Sequence, residues 1–284
     1  MNNYPLGFEE DDDLRSGFVR DLTLRQVEHP TTSILVNSGK EPNIPKTLVR
    51  YWHDPRNLPE DVRACLDSWN RLIDDGFELR IFDDVSAAAY IADVYGKRER
   101  EAFACCRHPA MRADYFRMCF VLAAGGLYVD ADDVLRSSEN WRVIFRSGAL
   151  KVQPLCYDVP AACMVPATEI WRADFSTNGR IFYVNNDPLA APAGHPILRR
   201  ALARATERLL GKERFPEIQA TTGPGNLTAA LAAHANELCV AGAPFDFELL
   251  RDWESVAETR WDLSYRGDAR NWRNMPRGEG RDRS

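Results

Sequence analysis

The chain has 284 residues, 45% hydrophobic and 27% charged, with 36 Lys and Arg against 42 Asp and Glu, for a formal charge of −6. That length builds one large domain or two small ones and buries a full core without a disulfide or metal staple. The acidic balance, with no basic block, argues against a sequence-independent nucleic-acid binder, whose affinity rests on neutralising phosphates. The most apolar run, Phe116 to Val129, contains Arg117 and is shorter than the ~20 residues of a membrane span. The first residues lack the basic start and apolar middle of a secretory signal, so a cytoplasmic location is expected. The 7 cysteines are odd in number and show no C-x-x-C spacing. They fit a reducing compartment and read as small buried hydrophobic residues, not zinc ligands.

Residues 1–43 read as an N-terminal extension of unknown role. Glu9 to Asp13 is a solvated charge run, and Leu22, Leu24 and Val27 belong to a short element with no evident place. Ile44-Pro45-Lys46 opens a strand, Thr47 to Trp52, rich in strand formers. Leu58-Pro59-Glu60 starts a helix on which Val62, Leu66, Trp69 and Ile73 recur at helical spacing, closed by Asp75-Gly76. Phe77 to Phe82 alternates as a second strand and is followed by Asp83-Asp84. Helices are expected over Ser86–Tyr95, Arg98–Cys106 and Ala110–Ala124, the last opened by Pro109 and closed by Gly125-Gly126. Leu127-Tyr128-Val129 is a short buried strand. Beyond residue 140 the pattern weakens. Helices from Ile197, after His195-Pro196, and from Asn226, after Gly223-Pro224-Gly225, stand out. Residues 274–284 read as a disordered tail. Strands alternating with helices make an α/β protein.

The informative segment is Asp130-Ala131-Asp132, directly after the apolar strand. Carboxylates at the end of a buried strand repel one another and are costly to desolvate. A divalent cation relieves both costs, taking carboxylate oxygens and completing its shell with phosphate and water. Ligands of open α/β sheets gather at the carboxyl ends of strands, where this pair sits. Two chemistries use the pattern: the DxD of nucleotide-sugar transferases and the Asp-x-Asp-x-Val-Leu nucleophile of haloacid-dehalogenase-type phosphatases, which Asp130 to Leu135 also fits. The phosphatase pattern further requires a downstream lysine and Asp pair. The later lysines are Lys151 and Lys212, and neither precedes a convincing pair.

Upstream, Arg112-Ala113-Asp114-Tyr115-Phe116-Arg117 places Asp114 and Arg117 on one helix face. From there to Gly125-Gly126-Leu127-Tyr128-Val129-Asp130-Ala131-Asp132 the chain resembles the signature of glycosyltransferase family 32, the DXD sugar transferases. That family includes initiating mannosyltransferases and capsular-polysaccharide enzymes and is similar to the catalytic domains of clostridial glucosylating toxins. Ile44-Pro45-Lys46, Tyr51-Trp52, Ser68-Trp69, Gly194-His195-Pro196 and Thr222-Gly223-Pro224-Gly225 resemble further landmarks in the same order. The resemblance implies a catalytic domain over 44–273 with a glycosyltransferase-A type fold, a mostly parallel central sheet with helical additions. It implies a retaining hexosyl transfer from a UDP- or GDP-sugar to a glycan or protein acceptor, as in polysaccharide biosynthesis.

By the same resemblance Asp132 coordinates Mn²⁺ or Mg²⁺, and Asp130 contacts the donor and the metal shell. Asp114 bonds donor-sugar hydroxyls, Arg117 lies against the donor phosphate or sugar, and Trp52 stacks on the base. Asn271 stands where relatives often carry a histidine near the metal, making it the third metal contact. Arg112 is read as a surface residue and Asp133 as a loop residue, while His53, His108 and His195 are read as structural. A nucleotide-sugar binding protein without turnover is the other reading of the same pocket.

Overall fold

The computed structural model describes residues 4–28, 43–137, 139–211 and 217–274. Lys212 and the expected tail from residue 275 lie outside them. The helices are α1 (Asp12–Glu28), α2 (Glu60–Asp67), α3 (Asp84–Val94), α4 (Lys97–Cys105), α5 (Pro109–Ala124), α6 (Pro196–Leu210), α7 (Ile218–Thr221) and α8 (Pro224–Ala241). The strands are β1 (Thr47–Tyr51), β2 (Glu78–Phe82), β3 (Gly126–Tyr128), β4 (Asp133–Leu135), β5 (Leu150–Asp158), β6 (Cys163–Met164), β7 (Arg180–Ala191), β8 (Phe247–Leu249) and β9 (Ala257–Thr259).

Seven strands form one sheet in the order β2-β1-β3-β7-β5-β6, with β8 paired to β5. β1 pairs in parallel with β2 and β3, and β5 with β8. β7 runs antiparallel between β3 and β5, and β6 antiparallel to β5. The sheet is thus mostly parallel in direction, with β7 and β6 opposed to the rest. β4 and β9 make a separate antiparallel ribbon. Among the described residues no helix is long and apolar enough to cross a membrane.

The expected elements before residue 130 are present, with one change. The helix from residue 60 stops at Asp67, and a tight turn over Asn70–Ile73 replaces its last part. Ser68 is the cause: its hydroxyl donates to the Cys65 carbonyl at 2.7 Å and accepts the Leu135 N–H at 3.1 Å, tying the helix end to β4. Trp69 then turns inward, fully buried, and its indole N–H donates to the Asp133 carbonyl at 2.9 Å. The cysteines are mixed: Cys65, Cys106, Cys119 and Cys156 are buried as expected, but Cys105 and Cys163 are exposed.

Helix α1 supplies the place that Leu22 lacked in the sequence. Phe18, Val19 and Leu22 are buried in the main core with β7 and α8 residues such as Val184 and Ala230. Glu10, just before α1, is paired by Arg204 and Arg208 of α6.

The turn from α5 into β3 aims the site. Gly125 and Gly126 have φ of 71° and 119°, backbone that side chains rarely adopt. A Cβ on Gly126 meets the Thr47 carbonyl at 2.7 Å, so β3 lies against β1 only because that atom is missing. The turn makes α5 run back along the sheet, which sets the N-terminal half of α5 beside the carboxyl end of β3.

Candidate active site

A cleft of about 450 Å³ opens at the carboxyl ends of β1 and β3, within the size range of small-molecule sites. Asp114 and Arg117 from α5, Asp130 and Asp132 after β3, Trp52 after β1 and Asn271 near the chain's end all line it. Every sequence-derived site residue therefore reaches one cavity.

Its floor is a charge network. Arg117, nearly fully buried, contacts Asp114 Oδ1 at 3.0 Å and Asp130 Oδ1 at 2.8 Å. Its other terminal nitrogen donates to the Asn186 carbonyl at 2.8 Å, and the guanidinium lies 4.4 Å above the Tyr128 ring. Asp114 also accepts from the Asn186 amide at 2.8 Å and sits beside the Thr222 hydroxyl at 3.5 Å. Asp130 donates its backbone N–H to Asp187 Oδ1 at 3.0 Å. Asp132 accepts from the Tyr265 hydroxyl at 2.8 Å and from Arg266, both at Oδ2.

Two expectations are corrected. Asp133 is no loop residue: it opens β4, is fully buried, and neither of its carboxylate oxygens has a hydrogen-bond partner among the described residues. The β4–β9 ribbon, formed with a segment over a hundred residues later in the chain, closes over it. Arg112 is not on the surface either. Its side chain is mostly covered, bonded to Asp84 at 2.7 Å and to the Cys106 carbonyl at 3.2 Å. His108 and His195 are structural, as expected: each caps its helix by accepting an N–H from two residues ahead, at 3.1 and 3.3 Å.

Trp52 is 8% exposed and packs with Val62, Leu66 and Leu263, with its ring edge-on to Tyr265 at 5.4 Å. It belongs both to a small apolar cluster and to the cleft wall. Asn271 faces its own segment: its amide donates to the Arg266 carbonyl at 2.8 Å and accepts the Arg273 N–H at 3.2 Å. The side chains that contact Asp132 from that segment are Tyr265 and Arg266.

The sequence reading missed Asp187 and Asn186 on β7, Arg50 on β1, and Tyr265 and Arg266. Arg50 is buried and donates to the Asp130 carbonyl at 2.6 Å and the Asp133 carbonyl at 3.2 Å. An arginine inside the apolar run Thr47 to Trp52 was a readable signal, as was the polar stretch Asn185-Asn186-Asp187 within β7.

The electrostatics favour an added cation. Five aspartates, at 114, 130, 132, 133 and 187, meet three arginines bonded into the network, at 50, 117 and 266. Burial pushes Asp114 up to about 6, against the pull of Arg117 and with help from Asp130. Burial and Asp132 push Asp133 up to about 7. Asp132 is raised by burial and by Asp130, and Asp187 well raised by burial and by Asp133. Burial is the largest cause in all four, and a cation bound among them would favour the charged forms.

The donor set suits a hard dication. No side chain among the described residues donates to Asp132 Oδ1 or Asp130 Oδ2. No three His, Cys, Asp or Glu among the described residues converge as a metal cage. One or two carboxylates, completed by phosphate and water, is how Mg²⁺-like ions are commonly bound.

Residues 59–144 match the family described as "Glycosyltransferase sugar-binding region containing DXD motif". That stretch is similar to DXD-type glycosyltransferase regions. This DXD region holds Asp114, Arg117, Asp130 and Asp132, while Trp52, Asp187, Arg266 and Asn271 lie outside it. The chain is 26% identical over 206 residues to an initiation-specific alpha-1,6-mannosyltransferase of Schizosaccharomyces pombe, covering 68% of this chain and 49% of that protein. The enzyme of the same name from Candida albicans is 23% identical over 245 residues, covering 77% and 59%. That from Saccharomyces cerevisiae is 21% identical over 204 residues, covering 62% and 42%. The chain thus spans about half the length of these relatives. Among solved structures, the PaToxG glycosyltransferase aligns over 87% of this chain and all of its own, with a TM-score of 0.49 and 16% identity.

Proposed function

We propose that this chain is a retaining, metal-dependent glycosyltransferase that moves a hexosyl group from a UDP- or GDP-sugar to a glycan or protein acceptor. The observation that carries this reading is the buried Arg117, joining Asp114 of α5 to Asp130 of the DXD motif on the floor of the cleft. A surface ion pair has no reason to be sealed there, and a site that binds a polar, anionic donor does.

In this reading Asp132, with Asp130, holds Mn²⁺ or Mg²⁺, which when bound offsets charge on the leaving diphosphate. Asp114 accepts hydrogen bonds from donor-sugar hydroxyls, its other contacts to Arg117 and Asn186 keeping the carboxylate in one orientation. Arg117 holds Asp114 and Asp130 in register. Trp52 supplies an apolar ring for the nucleotide base, and Asn271, which lines the same cleft, is proposed as a further contact on the metal side. The transfer is proposed to run on one face of the sugar. The bond from the anomeric carbon to the diphosphate oxygen breaks, the bond to the acceptor oxygen forms, and the acceptor's proton passes to the leaving phosphate.

A haloacid-dehalogenase-type phosphatase would need a lysine beside the nucleophile. No lysine lines the cleft among the described residues, and Asp130 Oδ1 is already bonded to Arg117.

Slow release of free sugar from UDP- and GDP-sugars tests the proposal, with GDP-mannose first because of the relatives' names. Hydrolysis of at least one donor with Mn²⁺, abolished by chelator, is expected. A thermal shift with a donor but no hydrolysis would support the non-catalytic binder. No hydrolysis and no shift with any donor would overturn the reading.

A further inference from the structure

The segment 260–274 is strapped across the cleft, and its attachments separate into two kinds. Its backbone is held by contacts of its own, beginning with the Arg260 N–H, which donates to the Asp132 carbonyl at 2.9 Å. Ser264 donates its N–H and its hydroxyl to Asp61 at 2.6 and 3.1 Å. The Arg266 N–H donates to the Leu263 carbonyl at 3.0 Å, and the Arg266 carbonyl accepts from Asn271 at 2.8 Å and Asn274 at 3.1 Å. Leu263 is buried in the cluster that contains Trp52.

The Arg266 side chain, like that of Tyr265, runs inward onto Asp132 Oδ2. Its guanidinium stacks 4.4 Å from the Trp261 ring and ends on Asp132. Its Nε is buried without a hydrogen-bond partner. An arginine offers five donors in a fixed fork, and here one is buried and unused while a single carboxylate oxygen takes another. That is a poor final home for a guanidinium. A diphosphate offers the several acceptors that it lacks.

We infer that Arg266 is a resident counter-cation: it holds Asp132 in the ligand-free protein, yields that carboxylate to an arriving dication, and then binds the diphosphate that accompanies it. Because the backbone of the strap is anchored independently, the exchange needs only a side-chain rotation. Charge balances at each stage. Asp132 trades a monovalent partner for a divalent one, and the displaced guanidinium meets the new anion. The cleft is thereby selective for a metal–diphosphate pair over either ion alone. The dication alone meets a carboxylate whose Oδ2 is already held by an arginine that repels it, and the diphosphate alone finds that arginine engaged.

This inference rests on the proposed metal–diphosphate site, and calorimetry separates the two. Mn²⁺ alone is titrated into the parent, Arg266→Ala, Arg266→Lys and Asp132→Asn, followed by UDP and GDP at saturating Mn²⁺. Arg266→Ala should bind Mn²⁺ alone at least ~tenfold more tightly than the parent and the preferred nucleotide at least ~tenfold more weakly. Arg266→Lys, which keeps the charge, should move back towards the parent in both. Opposite changes in two affinities are not what a merely structural residue produces. Equal Mn²⁺ affinity in the parent and Arg266→Ala, with Asp132→Asn inactive in binding, would overturn the inference and leave the metal site standing. Absence of Mn²⁺ binding in every protein, with or without nucleotide, would remove the metal site itself. Loss of folding in both Arg266 variants, seen as an absent thermal transition, would also overturn the inference, because the strap would then depend on that side chain.

Discussion

One terminal nitrogen of Arg117 lies 3.0 Å from Asp114 Oδ1 and 2.8 Å from Asp130 Oδ1, so a single guanidinium ties the helix before the Gly125-Gly126 turn to the motif after it. The three side chains act as one unit. Arg117→Ala leaves two carboxylates short of a partner in a buried place, at a cost of about 3 to 5 kcal/mol. Arg117→Lys keeps the charge but not the fork, so its stability loss should be smaller. Both should lower kcat/KM at least ~tenfold, roughly 1.4 kcal/mol of transition-state stabilisation, measured at a temperature where the variants are folded. A stability change under ~1 kcal/mol with an unchanged rate would return the pair to the behaviour of a surface bridge.

Asp114 should leave a mark on the pH dependence of stability. An unfolded aspartate titrates near ~3.9, whereas burial pushes Asp114 up to about 6 in the fold. A carboxyl raised on folding takes up a proton, so its contribution is fully present below the unfolded value. It is lost as the pH rises through the folded one. The difference is worth roughly 3 kcal/mol. The ligand-free parent should therefore lose stability as the pH rises from about 4 to about 6. Asp114→Asn, with nothing to titrate there, should show a flatter profile. Urea unfolding at a series of pH values checks this, and identical slopes in the two proteins would contradict it.

Trp52→Ala should raise the donor KM more than it lowers kcat. Base stacking on an aromatic ring is worth ~1–3 kcal/mol in nucleic-acid binders, so a roughly ten- to hundredfold rise is expected. Because the ring also packs with Val62, Leu66 and Leu263, Trp52→Phe is the companion variant, keeping most of the packing and part of the stacking. If Trp52→Ala unfolds while Trp52→Phe binds donor as the parent does, the ring is core and not a base platform.

Gly126→Ala tests how the site is aimed. Its Cβ meets backbone, the Thr47 carbonyl at 2.7 Å, at a φ of 119°, and neither gives way cheaply. A loss of roughly 2 to 4 kcal/mol is expected from strain and clash together. Gly17→Ala in α1 meets only the Tyr4 hydroxyl at 3.8 Å and should stabilise by roughly 0.5–1 kcal/mol through helix propensity. Thermal unfolding of both decides, and a neutral Gly126→Ala would mean that the turn tolerates a side chain.

The first half of the chain was readable because its signals are local. The strand formers of β1, the alternation of β2, and Pro109 and the glycine pair at the two ends of α5 mark those elements within a few residues of sequence, and the acidic pair sits where β3 ends. The sequence could not show what only tertiary contact brings together. Asp187 reaches Asp130 because β7 pairs with β3, and Arg266 reaches Asp132 across more than 130 residues. Asp133 looked like loop because its neighbours are charged, and it is buried because β9 pairs with the strand that it opens. Arg112 looked exposed because a helix-borne arginine usually is, and its partner Asp84 lies a strand-to-helix junction away. The long β5–β7 pairing escaped notice because much of its length is buried on both faces, which removes the alternation that marks a half-exposed strand.

Asp132, held at the end of β3, is proposed to bind a dication together with a nucleoside diphosphate. Calorimetry of UDP and GDP with Mn²⁺ and with chelator, in the parent and in Asp132→Asn, tests it most directly. The amide cannot supply the negative charge that the cation needs, and it also removes a buried acid raised by burial and by Asp130, so the variant should fold at least as well as the parent. One nucleotide should bind the parent only with Mn²⁺, and this binding should be lost in Asp132→Asn. Affinity that is the same with chelator as with Mn²⁺, or the same in Asp132→Asn as in the parent, would contradict it.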